Sequence, residues 1–125
     1  MKLRVFVMIL LFSQVKPLLA DGNDLLRMCS EAEKFVLYDI SPKDIFKFGQ
    51  CVGIAQGVSN AMVLINNVVK KPYKNCLPET GLENGQVILI TNKYLREHPE
   101  DLNQNETALT IFALMEAYPC HKKGN

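Results

Sequence analysis

Six residues of this 125-residue chain have the side chains best suited to chemistry: Cys29, Cys51, Cys76, Cys120, His98 and His121. Cys120 next to His121 pairs the types of a thiolate nucleophile and its base, or of two metal ligands. Against both readings, His121 opens a polar tail, His-Lys-Lys-Gly-Asn, of the kind that frays. In an oxidising compartment the sulfur is bonded rather than ionised. His98 as a general base fares no better, because beside Pro99 at a helix end it caps carbonyls or packs locally. The chain offers no carboxylate pair with a convincing partner, no glycine-rich phosphate loop and no two-plus-two metal spacing. No enzyme activity, metal or cofactor is expected.

The compartment follows from the first twenty residues. Lys2 and Arg4 make a positive start, Val5 to Phe12 is an apolar run, and Ala20 is a small residue ahead of polar Asp21-Gly22-Asn23-Asp24. Residues 1–20 therefore read as a signal peptide cleaved after Ala20, and 21–125 as one mature domain. The leader's apolar run is shorter than the roughly 20 residues a bilayer span needs. Val52 to Val69 is interrupted by Gln56, Ser59, Asn60, Asn66 and Asn67, so no membrane insertion is expected after cleavage. Lys2, Arg4 and Lys16 leave with the leader, and 11 basic residues then face 13 acidic ones, a formal charge of −2. That balance argues against nucleic acid as the partner. All four cysteines survive cleavage, and an even number in a small exported domain reads as two disulfides in the periplasm or outside the cell.

These cysteines must be positioned by helices. A first helix runs from about Asp24 past Met28 to Tyr38, with Asn23 or Asp24 at its N-cap. A second opens at Ser41-Pro42 and carries Cys51, Ile54, Val58, Ala61, Met62, Ile65 and Val68 at spacings of three and four. Pro72 ends it, and a loop spans about Val69 to Asn84. The third helix carries Val87, Ile88, Ile90, Thr91, Tyr94 and Leu95 up to Pro99. The fourth starts near Asn103 or Asn105, shows Leu109, Phe112, Ala113 and Ala117 on one face, and stops at Pro119. Asn105-Glu106-Thr107 fits the glycosylation pattern but reads better as a cap. The chain is expected to be all-α, a compact single-domain bundle of about four main helices.

Four cysteines allow three pairings, and helix geometry favours one. Cys76 precedes the third helix and Cys120 follows the fourth, so an antiparallel hairpin brings them together. Cys29 and Cys51 flank the first connection in the same way. The expected bonds are Cys29 with Cys51 and Cys76 with Cys120, each contributing roughly 3 to 4 kcal/mol on the chain-entropy model.

Partner-binding candidates lie on three stretches. Lys71 and Tyr73 sit in a basic run with Lys70 and Lys74, either an aromatic anchor for an acidic surface or a solvated helix end. Glu79, Thr80 and Glu83 lie in a loop held at its base by Cys76, which lowers the cost of ordering it on binding. Glu97, Glu100 and Asp101 form an acidic turn able to steer association with a basic cleft.

In order along the mature chain stand Cys51, Gly53, Gly57 and Ala61; Cys76-Leu77-Pro78; Gln86; Tyr94-Leu95 with His98-Pro99-Glu100; and Tyr118-Pro119-Cys120. This series resembles the Rap/Tai family of immunity proteins, which protect bacteria against peptidoglycan amidases delivered by type VI secretion. Ile54, Ala55 and Asn60 depart from that pattern, where the family has Tyr, Ile and Asp. The resemblance implies an all-helical, non-catalytic periplasmic protein, often a homodimer, that occludes the active-site cleft of a cognate cysteine amidase. Gly53 and Gly57, four apart on one helix face, suit either a close helix approach or tolerance in a helix held by packing. The alternatives are a small exported ligand carrier, with Phe46, Phe48, Met62, Phe112 and Met115 around a cavity, and an envelope assembly protein.

Overall fold

A computed structural model describes residues 20–39, 41, 43–70 and 75–120. The expected leader up to residue 19, Pro42, Lys71, Tyr73, Lys74 and His121 lie outside them. Among the described residues there are four helices, α1 (Gly22–Tyr38), α2 (Ile45–Val68), α3 (Asn84–Glu97) and α4 (Glu106–Ala117), with a short 3-10 turn, Pro99–Asp101, between α3 and α4. Among the described residues there is no strand, only an isolated bridge between Asp21 and Asn105. Helix α1 packs on α2 and α3, and α4 closes over α3 and α2. The expected all-α bundle is therefore the observed one.

Both expected disulfides are present, Cys29–Cys51 and Cys76–Cys120, with Cα atoms 5.1 and 5.2 Å apart. Cys29 and Cys51 lie in the core with Leu25, Met28, Ala32, Val87, Ile88, Leu95, Leu109 and Leu114. Cys76 and Cys120 are exposed at the rim.

Local chemistry sets the helix starts, at positions that differ from the expected ones. Asp21 rather than Asn23 or Asp24 caps α1, accepting from the amides of Asn23 and Asp24 at 3.0 and 3.1 Å. Asp44, not Ser41, caps α2, accepting from the Lys47 amide at 3.1 Å. In both cases a carboxylate satisfies orphan amides and answers the positive pole of the helix. Asn105 caps α4 as expected, through the amides of Thr107 and Ala108.

Two helices keep part of their expected faces, Cys51, Val58 and Met62 on α2 and Leu109, Ala113 and Leu114 on α4, and are turned from the rest. The inner side of α2 holds Cys51, Ala55, Val58, Ser59 and Met62, whereas Ala61, Ile65 and Val68 are exposed. A helix apolar around its whole circumference has no contrast for periodicity to read, and the bond from Cys51 to α1 fixes its rotation. On α4, Leu109, Thr110, Ala113 and Leu114 face inward while Phe112, Met115 and Ala117 are exposed. Thr110 is admitted because its hydroxyl donates to the Glu106 carbonyl at 2.9 Å.

Helix α2 is also long and apolar enough to cross a membrane by length and composition, with a mean hydropathy of 1.3 over 18 residues. This corrects the expectation drawn from its interruptions, since those residues are uncharged amides and a hydroxyl that leave the mean high. Its inner side is nevertheless a core face, bonded to α1 through Cys51.

Candidate functional site

Two surfaces stand out, a polar ridge at the end of α4 and the outward side of α2. The ridge begins in the loop after α2. Asn75 fastens that loop: its amide donates to Asn66 Oδ1 at 2.9 Å, its side chain donates to the Met62 carbonyl at 2.7 Å, and its Oδ1 accepts from Asn66 and Leu77. Leu77 is buried by this arrangement, and Gly81 turns the chain with φ of 78°, the left-handed region glycine enters without strain. Glu79, Thr80 and Glu83 are left exposed.

At the other end of α3, Tyr94 is buried and His98 stacks on its ring with centroids 4.2 Å apart. The Tyr94 hydroxyl donates to Asp101 Oδ2 at 2.9 Å, and Gln104 donates to Asp101 Oδ1 at 2.7 Å. Burial first, and then the bond to Asp101, pushes the Tyr94 phenol up to about 12. It therefore stays a donor throughout the physiological range. Asp101 thus holds the corner, while Glu97 and Glu100 are exposed, Glu97 with the Lys93 ammonium 3.9 Å away. His98 lies between two carboxylates, with Nδ1 3.4 Å from Glu100 and Nε2 3.2 Å from Glu116.

The loop and the corner sit at opposite ends of the 14-residue α3, about 20 Å apart at 1.5 Å per residue. The C-terminal end of α4 links them. Glu116 meets His98, the Tyr118 hydroxyl accepts from Gln86 at 2.7 Å, and Cys120 is bonded to Cys76. The structure therefore joins Glu79, Thr80 and Glu83 to Glu97 and Glu100 through α4, and adds Glu116. Sequence reasoning missed Glu116, whose only signal was its place one turn before the Tyr-Pro-Cys end. Lys71 and Tyr73 lie outside the described residues.

The outward side of α2 is of another kind. Phe46, Leu64 and Val68 are 74%, 65% and 80% exposed, and Gly49, Gly53 and Gly57 would each meet nothing within 4 Å if given a Cβ. Among the described residues nothing makes the close approach weighed for Gly53 and Gly57. Beside them runs an open apolar groove of about 350 Å³, lined by Ile54, Ala61, Ile65 and Ile111 among others. Phe46, Phe112 and Met115 are exposed, and Met62 is buried. Among the described residues no group of His, Cys, Asp and Glu side chains is arranged to hold a metal.

The sequence model of one family, described as Rap1a immunity proteins, matches residues 21–120. The chain belongs to this family. Neither a curated protein nor a solved structure matches it. Membership in the Rap1a immunity family makes this an immunity protein, and such a protein acts by binding a cognate effector. In this fold the exposed acidic residues stand on a frame held by a disulfide, a buried tyrosine and an asparagine clamp.

Proposed function

We propose that this protein is a non-catalytic periplasmic immunity protein that occludes the active site of a cognate peptidoglycan amidase delivered by type VI secretion. The observation that carries this reading is the ridge, where Glu79, Glu83, Glu97, Glu100 and Glu116 project from a rigid frame. A surface rich in carboxylates, with Lys93 beside Glu97 as its nearest cation, gains association rate on docking with a basic cleft, and one held in place before contact loses little entropy. The test is co-expression: a candidate amidase is exported to the periplasm with and without this protein, and lysis is followed. Protection is expected with the native chain, and its loss with Glu97→Lys combined with Glu100→Lys at unchanged folding. Lysis that persists despite soluble, exported native protein overturns immunity towards that amidase.

The same reading includes a homodimer, and the outward side of α2 supports it. Its pattern is self-complementary about position 55: in an antiparallel pair, Phe46 meets Leu64 of the second copy, Gln50 meets Asn60, and Gly53 meets Gly57. Large residues fall at the ends, small ones at the crossing, and amides between. From Phe48 to Val69 the helix carries no charged residue, which suits a second identical face better than a charged cleft. Sedimentation should show a dimer that Gly53→Leu converts to a folded monomer. A native chain that sediments as a monomer at high micromolar concentration would remove this part of the proposal.

A further inference from the structure

Where α1 begins beside the start of α4, one buried carboxylate oxygen has no hydrogen-bond partner among the described residues. The segment Ala20 to Gly22 pairs with Gln104 to Glu106: the Gly22 amide donates to the Gln104 carbonyl at 3.0 Å, and the Glu106 amide donates to the Ala20 carbonyl at 3.4 Å. Gly22 is required at this crossing, since a Cβ there would lie 2.5 Å from Leu109 Cδ1 and 2.9 Å from Leu102 Cα. Asn23 ties the same place together by donating to the Leu102 carbonyl at 3.1 Å. Against this fixed frame the Glu106 atom Oε2 is buried, with no hydrogen-bond partner among the described residues. Burial raises the Glu106 carboxyl above its ordinary value; a hydrogen bond from its own backbone amide opposes this in part, and the charges of Asp24 and Asp21 add to the rise. Asp21 is already engaged in capping α1, and Asp24 pairs with Arg27 on the exposed side. Three carboxylates thus gather at one point where the described side chains supply only the guanidinium of Arg27.

We propose that the missing partner of Glu106 is the α-ammonium group created at Asp21 when the leader is removed. The inference rests on cleavage after Ala20. In that step water adds across the Ala20–Asp21 peptide bond, Ala20 leaves as a carboxylate, and the Asp21 nitrogen becomes an ammonium group carrying one positive charge. The position suits it. The amide nitrogen of Asp21 and the oxygen of Ala20 belong to one peptide group and lie about 2.3 Å apart. With 3.4 Å from that oxygen to the Glu106 amide, the Asp21 nitrogen lies within about 6 Å of Glu106's own backbone and within reach of its side chain. Cleavage also removes the Ala20 carbonyl, so the groups that lose a neighbour are those that gain the ion pair. An ammonium at the N-cap of α1 would by itself oppose the helix dipole, and the carboxylates of Asp21, Asp24 and Glu106 offset that opposition. The mature fold is completed by processing.

The test compares two forms of the purified protein, one beginning at Asp21 and one carrying six additional Gly and Ser residues that move the amine away. Carbon-13 NMR follows the Glu106 carboxyl in each. In the form beginning at Asp21 the carboxyl should titrate about one pH unit lower, a tenfold change in proton affinity. In the extended form the carboxyl stays raised, so it favours folding at pH below the unfolded value and loses that contribution as pH rises through the folded one. The stability of the extended form should therefore fall relative to the mature form across that window, and Glu106→Gln should abolish the difference. Identical titration in the two forms overturns the pairing, a result that holds even if Glu106→Gln fails to fold. Intact mass of the exported protein tests the premise separately: a start at Asp21 supports it, and any other start overturns the leader reading while the comparison of the two forms still decides the chemistry.

Discussion

Helices α2 and α3 both cross the core, yet they treat solvent in opposite ways. Helix α3 buries Val87, Ile88, Thr91, Asn92, Tyr94 and Leu95 and turns Gln86, Lys93, Arg96 and Glu97 outward. Its polar residues also reach other parts of the domain. Asn92 donates to the Cys29 carbonyl at 3.0 Å and to Glu33 at 3.2 Å, and Arg96 makes a two-pronged contact with Glu33. Helix α2 buries a similar inner face, but its outer face mixes exposed Phe46, Leu64 and Val68 with Gly53, Gly57 and the uncharged amides Gln50 and Asn60. One helix is finished by its own domain. The other presents a second apolar face, and a helix apolar all round is normally covered on both sides.

The largest test of this difference sets a core residue of α3 against an outward residue of α2. Ile88→Ala should destabilise the domain by about 2–5 kcal/mol, because Ile88 is 1% exposed and leaves a cavity. Leu64→Ala, at 65% exposure, should cost the isolated domain under about 0.5 kcal/mol. Urea unfolding at low protein concentration measures both. A large cost for Leu64→Ala under those conditions would mean that the outward face is covered within the chain after all.

Glycines divide along the same line with smaller effects. Gly22, which meets Leu109 and the Leu102 backbone, should lose about 1–3 kcal/mol on substitution by Ala through overpacking. Gly53→Ala on α2, with nothing within 4 Å, should stabilise the lone domain by about 0.5–1 kcal/mol. Thermal unfolding of dilute samples separates the signs. Destabilisation by Gly53→Ala in the monomer would remove the argument that this face is built for something outside the chain.

The contrast between the two helices also explains what could be read from the residues alone. Helix α3 has amphipathic contrast, and its inner residues Val87, Ile88, Thr91, Tyr94 and Leu95 were legible at helical spacing. The disulfide pairs were legible because Cys76 and Cys120 bracket one hairpin. The face of α2 was legible only in part: Cys51, Val58 and Met62 face inward as expected, but Ala61, Ile65 and Val68 are as apolar as the buried Ala55, so periodicity did not separate them. Phe112 and Met115 were misread for the same reason on α4, where Thr110 goes inward because it bonds its own helix. On the candidate ridge, Glu97 and Glu100 were visible as a charged turn. The sequence held no sign that Asp101 would be taken up by Tyr94 and Gln104, or that Glu116 would join His98, because both depend on the angle at which α4 crosses α3.

The smallest effect tests how α3 is finished on its polar side. Hydrogen bonding from Arg96, with its charge adding to it, holds the Glu33 carboxyl below its ordinary value. A carboxyl lowered in the folded state contributes stability above its unfolded value and loses it as pH falls through the folded one. Glu33→Gln should therefore lower stability at pH 7 by about 0.2–1 kcal/mol, the range of an ion pair at the surface whose guanidinium is half exposed, and the gap to the native chain should narrow as pH falls through the lowered folded value. Urea titrations at pH 7 and pH 3 measure it. If the gap is as wide at pH 3, the Glu33 contact with Asn92, rather than its charge, joins α1 to α3. The polar finish of α3 would then be a hydrogen-bonding device indifferent to pH, and the acidic ridge at its end would keep its frame under acid stress.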